Sequence, residues 1–406
     1  MKNRILTTLL LILIVIIPQA SYQIVSAAQT TSEPVVIPFE MANRHVLIKV
    51  SINNSAPLWF IFDTGDKVAI VDSTRARSLG LNLQGEVNIG GAGEGSLKGS
   101  YVRDAFLNVV GVEKHPQPVA LTLPLAGMAP KFGHDIDGII GADFIKGFVV
   151  EIDYEARVMR LHDKEKFVYS GTGEILPVSF INGGHPTIPA EITPPGRQPL
   201  KGKFMVDVGS GGSLMLNRPF VEQENLLAAV PKTIKLIGAG GAGGKVTARV
   251  GRLKALKIGK LQIDEPVTAF SEDRGGAFAN SQSHGNIGYQ ILSKFKIFLD
   301  YGREQMILEP NASFKNPIGP ASPGVAIAAD GSDYKTFRVI ELLEDAPATE
   351  AGLKAGDILL SVDGRPASEL SLTLLHELFE KPTPRRLSVR RGERTLEFTV
   401  TPRRLI

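Results

Sequence analysis

Trp59-Phe60-Ile61-Phe62-Asp63-Thr64-Gly65 decides how this chain is read. Four apolar residues in a row, aromatic or β-branched, fit a short strand buried on both faces. Directly behind them stand an acid, a hydroxyl and a glycine. The arrangement returns as Phe204-Met205-Val206-Asp207-Val208-Gly209, 144 residues further on. One strand-end Asp followed by glycine is an ordinary turn. Two of them, each at the tip of a buried strand, offer a pair of carboxylates for shared chemistry.

An internal repeat surrounds the pair. Gly90-Gly91-Ala92-Gly93-Glu94-Gly95 follows the first Asp, and Gly238-Ala239-Gly240-Gly241-Ala242-Gly243-Gly244 follows the second. Asp137-Gly138-Ile139-Ile140-Gly141 is matched by Gly285-Asn286-Ile287-Gly288, with a lag of 147 residues from Gly141 to Gly288. Val149-Val150-Glu151-Ile152-Asp153-Tyr154 is matched by Ile297-Phe298-Leu299-Asp300-Tyr301 at the same lag. The strand-like segments Val158–Leu161 and Gln305–Leu308 close the two units. A repeat of this size predicts two homologous lobes, 35–165 and 166–312.

These residues resemble the aspartic peptidase family, pepsin-like and retropepsin-like, over about residues 35 to 312. The resemblance implies two pseudo-symmetric, acid-protease-like β-barrel lobes in one chain, with Asp63 and Asp207 as a catalytic dyad. Thr64, Gly65, Gly209 and Ser210 support that dyad in the implied site. The glycine-rich stretches, with Gly91, Gly93, Gly240 and Gly241, occupy the family's flap position. Two carboxylates ~3 Å apart cannot both ionise, so they share one proton. The ionised member takes a proton from water, which attacks the scissile carbonyl, and the protonated member donates to the carbonyl oxygen. Two residues depart from the family pattern. Asp66 stands where Ser, Thr or Ala is usual, and Val208 replaces the second threonine. An Asp66 side chain facing the dyad raises its apparent pKa values; one turned to water or to Lys67 does not. The alternative reading is a peptidase-like pair of lobes that binds peptide without cutting.

The ends of the chain carry separate signals. Lys2 and Arg4, the apolar run Ile5 to Ile17, then Ser26-Ala27-Ala28 have the order of a secretory leader over 1–28. Thirteen residues fall short of the ~20 a membrane span needs. The expectation is export to an extracytoplasmic, periplasmic location with no stable membrane span in the mature form. An uncleaved N-terminal anchor is the alternative. The chain has no cysteine, so neither a disulfide framework nor a thiol nucleophile is available. Its 42 glycines and 26 prolines among short β-branched runs place it in the mainly β class.

Asn311 to Gly324 is rich in Pro, Gly, Ser and Asn and reads as a linker, set at 313–324. Beyond it, Ala346-Pro347-Ala348-Thr349-Glu350-Ala351-Gly352-Leu353-Lys354-Ala355-Gly356-Asp357 and the Asp363-Gly364 turn resemble the bacterial PDZ domain, here 325–404. The resemblance implies peptide uptake as an added strand, with Gly324, Val325, Ala326 and Ile327 as the peptide-binding loop. Ala326 departs from the family's loop pattern. The partners implied are polypeptide substrates and the C-termini of peptides or proteins.

Other signals are excluded. The formal charge of +3 is weak, and the arginines at 385, 386, 390, 391 and 394 are spread over strand-like segments and read as a solvated strand face, so no nucleic acid is expected. Gly238–Gly243 matches a dinucleotide fingerprint in letters, but a strand-like segment follows where a helix is required. The seven histidines have no metal-ligand spacing, and neither metal nor cofactor is expected. Gly209-Ser210-Gly211-Gly212 is close to a trypsin-like nucleophile segment, the remotest alternative, and no triad partner precedes it in the right order.

Overall fold

A computed structural model describes residues 33–406 except Pro118, Ala239 and Pro320. The leader expected over 1–28 lies outside the described residues. The chain is mainly β.

The strand Leu58–Phe62 lies between His45–Ile52, antiparallel to it, and Gly138–Ile140, parallel to it. In the second half, Leu200–Val206 lies between His185–Thr193, antiparallel, and Gly285–Ile287, parallel. Registers agree as well: Ile140 stands opposite Phe62, and Ile287 opposite Val206. The next residue of each strand is the motif aspartate. Asp63 N–H donates to Ile140 O and Asp207 N–H donates to Ile287 O, each at 3.0 Å. The backbone therefore presents the two acids in equivalent ways.

The repeated segments that close each unit pair with each other. Val149–Asp153 runs antiparallel to Phe295–Asp300, with Val149 opposite Asp300. They form the middle of a six-stranded sheet that both halves share. Side chains alternate across a strand, yet Val149, Val150, Glu151 and Ile152 are all buried, because both faces of this sheet are covered. One continuous apolar core runs through both lobes, including Phe60, Phe62, Phe204, Ile152 and Ile297. Their relative position is fixed by that shared sheet and core.

Among the described residues of 313–324 there is no strand or helix beyond the isolated bridge Ser322–Arg403. The segment is still held in place: Arg252 donates to Ile318 O at 2.9 Å and Gly319 O at 2.7 Å. The C-terminal module has its own core of Ile327, Phe337, Val339, Leu375 and Val389. Pro347 opens its short helix Pro347–Glu350, as a first-turn proline should. Asp363 and Gly364 both have positive φ, 53° and 81°, which suits a tight hairpin turn. The helix Leu372–Phe379 is capped by Ser371 Oγ, which accepts from Leu374 N–H at 3.1 Å. Leu372, Leu375 and Phe379 form its buried face. Its sheet ends at Val325–Asp330, which pairs with Thr336–Leu342 on one side only.

Candidate active site

Asp63 and Asp207 leave their strands at the lobe boundary and come within hydrogen-bonding reach of each other. The glycines make this approach possible. A Cβ on Gly65 would lie 2.9 Å from Asp63 Oδ1 and 3.1 Å from Asp207 Oδ1. A Cβ on Gly209 would overlap the Asp63 carboxyl outright. Each glycine thus packs against the acid of the opposite lobe. Gly65 N–H also donates to Asp63 Oδ1 at 2.6 Å.

Beneath the acids, Thr64 crosses the boundary. Its Oγ1 donates to Val206 O at 2.6 Å and accepts from Val208 N–H at 3.0 Å, and the residue is fully buried. Val208 has no hydroxyl to return the contact, so the lobes are joined here from one side.

Residues 48–144 match the sequence model of a family described as aspartyl protease. Residues 338–391 match that of the PDZ domain. The chain carries an aspartyl protease-like domain and a C-terminal PDZ domain. Among curated proteins, a 67-residue stretch is 36% identical to "Serine protease HTRA1" of Xenopus laevis, covering 16% of this chain and 14% of that one. The Xenopus tropicalis protein of the same name is 34% identical over 67 residues, with the same coverage. The chain thus spans about one seventh of the length of these relatives. Among solved structures, a PDZ domain of HtrA3 bound to a phage-derived ligand covers 20% of this chain and 84% of its own, at 26% identity and TM-score 0.19. The photosystem II D1 C-terminal processing protease covers 21% and 24%, at 25% identity and TM-score 0.20.

The electrostatics of the protease-like site follow from three acids in one place. Burial, followed by the charge of Asp63, pushes the Asp207 carboxyl well above the usual range. Burial also raises Asp63, opposed by the Gly65 N–H. Asp66 is half-buried and near enough to the pair for its charge to act on it. Burial and then Asp63 hold its carboxyl well above the usual range. The charge of Asp66 bears on the dyad, and among the described residues its carboxyl makes no ion pair with Lys67. Lys67 points elsewhere, its side chain lying against Gly183 and Gly184. Nearby histidines bring no charge at neutral pH: burial lowers His45 to about 4 and lowers His185 as well.

Ser210, expected as dyad support, is tied to its neighbours through its backbone. Its N–H donates to Asp207 O at 3.2 Å and its carbonyl accepts from Tyr289 N–H at 2.8 Å. Among the described residues its hydroxyl makes no hydrogen bond to Asp207 or to a histidine. The contact to Asp207 comes from Asn286, whose Nδ2 donates to Oδ2 at 2.6 Å. The sequence signal for Asn286 was a broken pattern: an amide where the first lobe has Ile139.

Both glycine-rich stretches form the tips of hairpins, and the tips meet. Gly95 N–H donates to Gly243 O at 2.8 Å, and Gly243 N–H donates to Ala92 O at 2.9 Å. A Cβ on Gly93, at φ 95°, would stand 2.6 Å from the Gly243 carbonyl. Ala242 packs on the first lobe's apolar cluster of Leu47, Ile61 and Ile139, and Ala92 packs on the second lobe's cluster of Val246, Ala248 and Phe278. Gly91 and Gly93, Gly240 and Gly241 thus belong to two hairpin tips that touch each other.

The PDZ edge strand Val325–Asp330 is covered by the protease-like lobes. The short helix Ala129–Phe132 packs on it. A Cβ on Gly133 would stand 2.9 Å from Leu372 Cβ and 3.5 Å from Ala329 Cβ, between the edge strand and the helix Leu372–Phe379. Asn43 N–H donates to Thr373 Oγ1 at 3.2 Å, Tyr334 Oη donates to Asp135 Oδ1 at 2.7 Å, and Arg44 pairs with Glu380. At the strand's other end Gly238 approaches Ala326 Cβ, and Lys245 reaches Glu341 at 3.5 Å. Of the residues expected as a peptide-binding loop, Gly324 precedes the edge strand and Val325, Ala326 and Ile327 are its first residues, beside the second glycine-rich hairpin.

Proposed function

We propose that the chain is an aspartic endopeptidase that cuts polypeptides through Asp63 and Asp207, outside the cytoplasm. The observation that carries this reading is the equivalent presentation of the two acids: each follows its strand by one residue, each donates its N–H to the parallel neighbour at 3.0 Å, and the carboxyls meet. Close carboxyls with raised pKa values hold one proton between them. The ionised member takes a proton from a water as its oxygen attacks the scissile carbonyl. The other donates its proton to the carbonyl oxygen, giving a neutral tetrahedral diol. Collapse of the diol returns a proton to the dyad, delivers one to the departing amine and breaks the C–N bond. The joined glycine tips would part to admit substrate and close to exclude water. The PDZ domain would hold the C-terminus of a polypeptide and raise its local concentration near the dyad.

A serine mechanism has no support from the position of Ser210. The leader-like order read over 1–28 supports the extracytoplasmic placement. No helix among the described residues is long and apolar enough to cross a membrane.

The test is cleavage of an unstructured polypeptide across about pH 3 to 8, with Asp63→Asn and Asp207→Asn. Each substitution is expected to lower kcat by at least ~10³-fold, since the proton relay and the stabilised diol are lost together. Cleavage unaffected by both would overturn the dyad. Binding of polypeptide without cleavage at any pH would instead make the lobes a peptide-binding device.

A further inference from the structure

The repeat lets the two walls beside the dyad be compared residue by residue. In the first lobe three neighbouring strands set Ile61, Ile139 and Ile70 side by side, with Ile139 opposite Ile61 on one flank and Ile70 on the other. In the second lobe the same positions hold Met205, Asn286 and Met215, with Asn286 opposite both methionines. Alternation along each strand turns these side chains away from Phe60, Phe62, Phe204 and Val206, which fill the common core. Each wall lies at the hairpin tip of the other lobe: Ala242 packs on the isoleucine cluster, and Ala92 and Met215 pack on the same second-lobe cluster. The walls differ in filling and in chemistry. Ile61, Ile70 and Ile139 are 4%, 3% and 9% exposed and belong to one apolar cluster. Met205 and Met215 are half-buried. Asn286 between them is only 3% exposed. A primary amide in such a place is costly unless its polar atoms find partners. It has two N–H donors and a carbonyl oxygen. One N–H donates to Asp207 Oδ2, at 2.6 Å. Among the described residues the second N–H and Oδ1 have no partner. The second wall thus keeps one donor and one acceptor, on a single amide, beside the acids.

We infer that this second wall is a subsite for an amide side chain, Gln or Asn, at one of the two substrate residues flanking the scissile bond, and that the isoleucine wall takes an apolar side chain at the other. The inference rests on the endopeptidase reading above. A scissile carbonyl held at the dyad brings the side chains on either side of it to the residues nearest the acids, and Asn286 is bonded to Asp207 itself. A substrate amide carries an acceptor and a donor in one plane, so it answers both free groups of Asn286 at once. A hydroxyl is a single atom and does not span the two. An ammonium or a carboxylate answers only one of them and brings a charge that must be desolvated. An apolar side chain leaves both groups unpaired in the closed site. A site built to hydrogen-bond its ligand rejects the analogue that lacks those groups, whereas an apolar site rejects a polar isostere only weakly. The stronger discrimination therefore falls on the second lobe's side. Met205 and Met215 flank the amide with unbranched, flexible thioethers, which suit the methylenes of a glutamine stem.

The experiment measures kcat/KM of the full chain on matched peptides that differ only at a residue flanking the cleaved bond. Gln is compared with Met, which has the same length, and with Lys and Glu. At one flanking position Gln is expected to exceed Met by roughly 5- to 30-fold, the scale of one or two neutral hydrogen bonds. At the other, Met should exceed Gln. Asn286→Leu keeps the shape and removes both free groups, so the Gln-to-Met ratio at the first position should fall to about 1 or below. The ratio cancels any loss of rate caused by the missing bond to Asp207, which acts on every peptide alike. A ratio unmoved by Asn286→Leu would mean that Asn286 serves Asp207 alone and would overturn the proposal. So would a wild-type enzyme that cuts Met peptides at least as well as Gln peptides at both positions, or one that prefers Lys or Glu to Gln; these results decide the matter if Asn286→Leu does not fold. Asp63→Asn and Asp207→Asn serve as controls. If they leave cleavage intact, or if no peptide is cut, the endopeptidase reading fails and takes this inference with it. If they abolish cleavage while Gln gains nothing over Met, only the subsite assignment falls.

Discussion

Replacing Thr64 by valine isolates the single hydroxyl that joins the lobes beneath the dyad. Valine keeps the shape, so no cavity opens, and two hydrogen bonds are lost. Val208 N–H becomes a buried donor without a partner, which costs about 1–3 kcal/mol. The bond to Val206 O, at 2.6 Å, contributes a further ~0.5–1.5 kcal/mol. The expected destabilisation of the lobes is therefore about 1.5–4.5 kcal/mol. The chain's only tryptophan, Trp59, lies in the strand leading to the site and reports on this region by fluorescence. With a urea slope of about 3 kcal/mol/M, the Trp59 transition should move down by roughly 1 M. Amide exchange at Val208 should quicken in parallel. Thr64→Ser keeps the hydroxyl and should recover most of the shift. A Thr64→Val midpoint within ~0.2 M of wild type, or unchanged protection at Val208, would refute the inter-lobe role.

Asp66 makes a prediction whose sign depends on pH. Its carboxyl binds its proton more tightly folded than unfolded, so it favours folding below about pH 3.8 and loses that contribution as pH rises through its higher folded value. Asp66→Asn should therefore match wild-type stability near pH ~3 and exceed it near pH ~7, read as urea midpoints; a gain confined to acid pH would contradict the placement. Gly209→Ala drives a methyl into the Asp63 carboxyl and should abolish cleavage, whereas Gly212→Ala, whose nearest neighbour would be Ser210 Oγ at 3.6 Å, should be silent in the same assay. Glu341→Lys reverses a charge that faces Lys235 and Lys245 at 3.8 and 3.5 Å. Exposed pairs contribute little, so the affinity of the whole chain for a C-terminal peptide should rise by only about 2- to 5-fold, measured by fluorescence anisotropy.

Local chemistry made the frame of the molecule readable before its coordinates. An apolar run ending in Asp-x-Gly encodes strand and turn within seven residues. Because that unit recurs with its companions, the second lobe could be read from the first. The pairing of Val149–Asp153 with Phe295–Asp300 was implicit in the repeat, since matched segments meet at a pseudo-twofold axis. Side-chain direction was harder to read. Whether Asp66 turned to the dyad or to Lys67 depends on how the lobes meet. The contact of Asn286 with Asp207 had no local signature either, because it joins residues 79 positions apart that only the sheet register brings together. The docking of Gly133 into the PDZ groove joins segments about two hundred residues apart and has no local signature.

If the PDZ edge takes up peptide and the lobes take up substrate, as proposed, that docking ties the two binding equilibria together. A peptide that adds to Val325–Asp330 must displace Gly133 from beside Ala329, and its apparent dissociation constant is the intrinsic one divided by the fraction of molecules already open. Gly238 against Ala326 would place part of the second glycine-rich hairpin under the same control. A substrate that draws this segment away from Ala326 enlarges the open fraction and tightens the groove for its own ligand. By thermodynamic reciprocity the groove ligand then tightens the cleft for substrate by the same factor. A polypeptide long enough to engage both sites would meet the opening cost once.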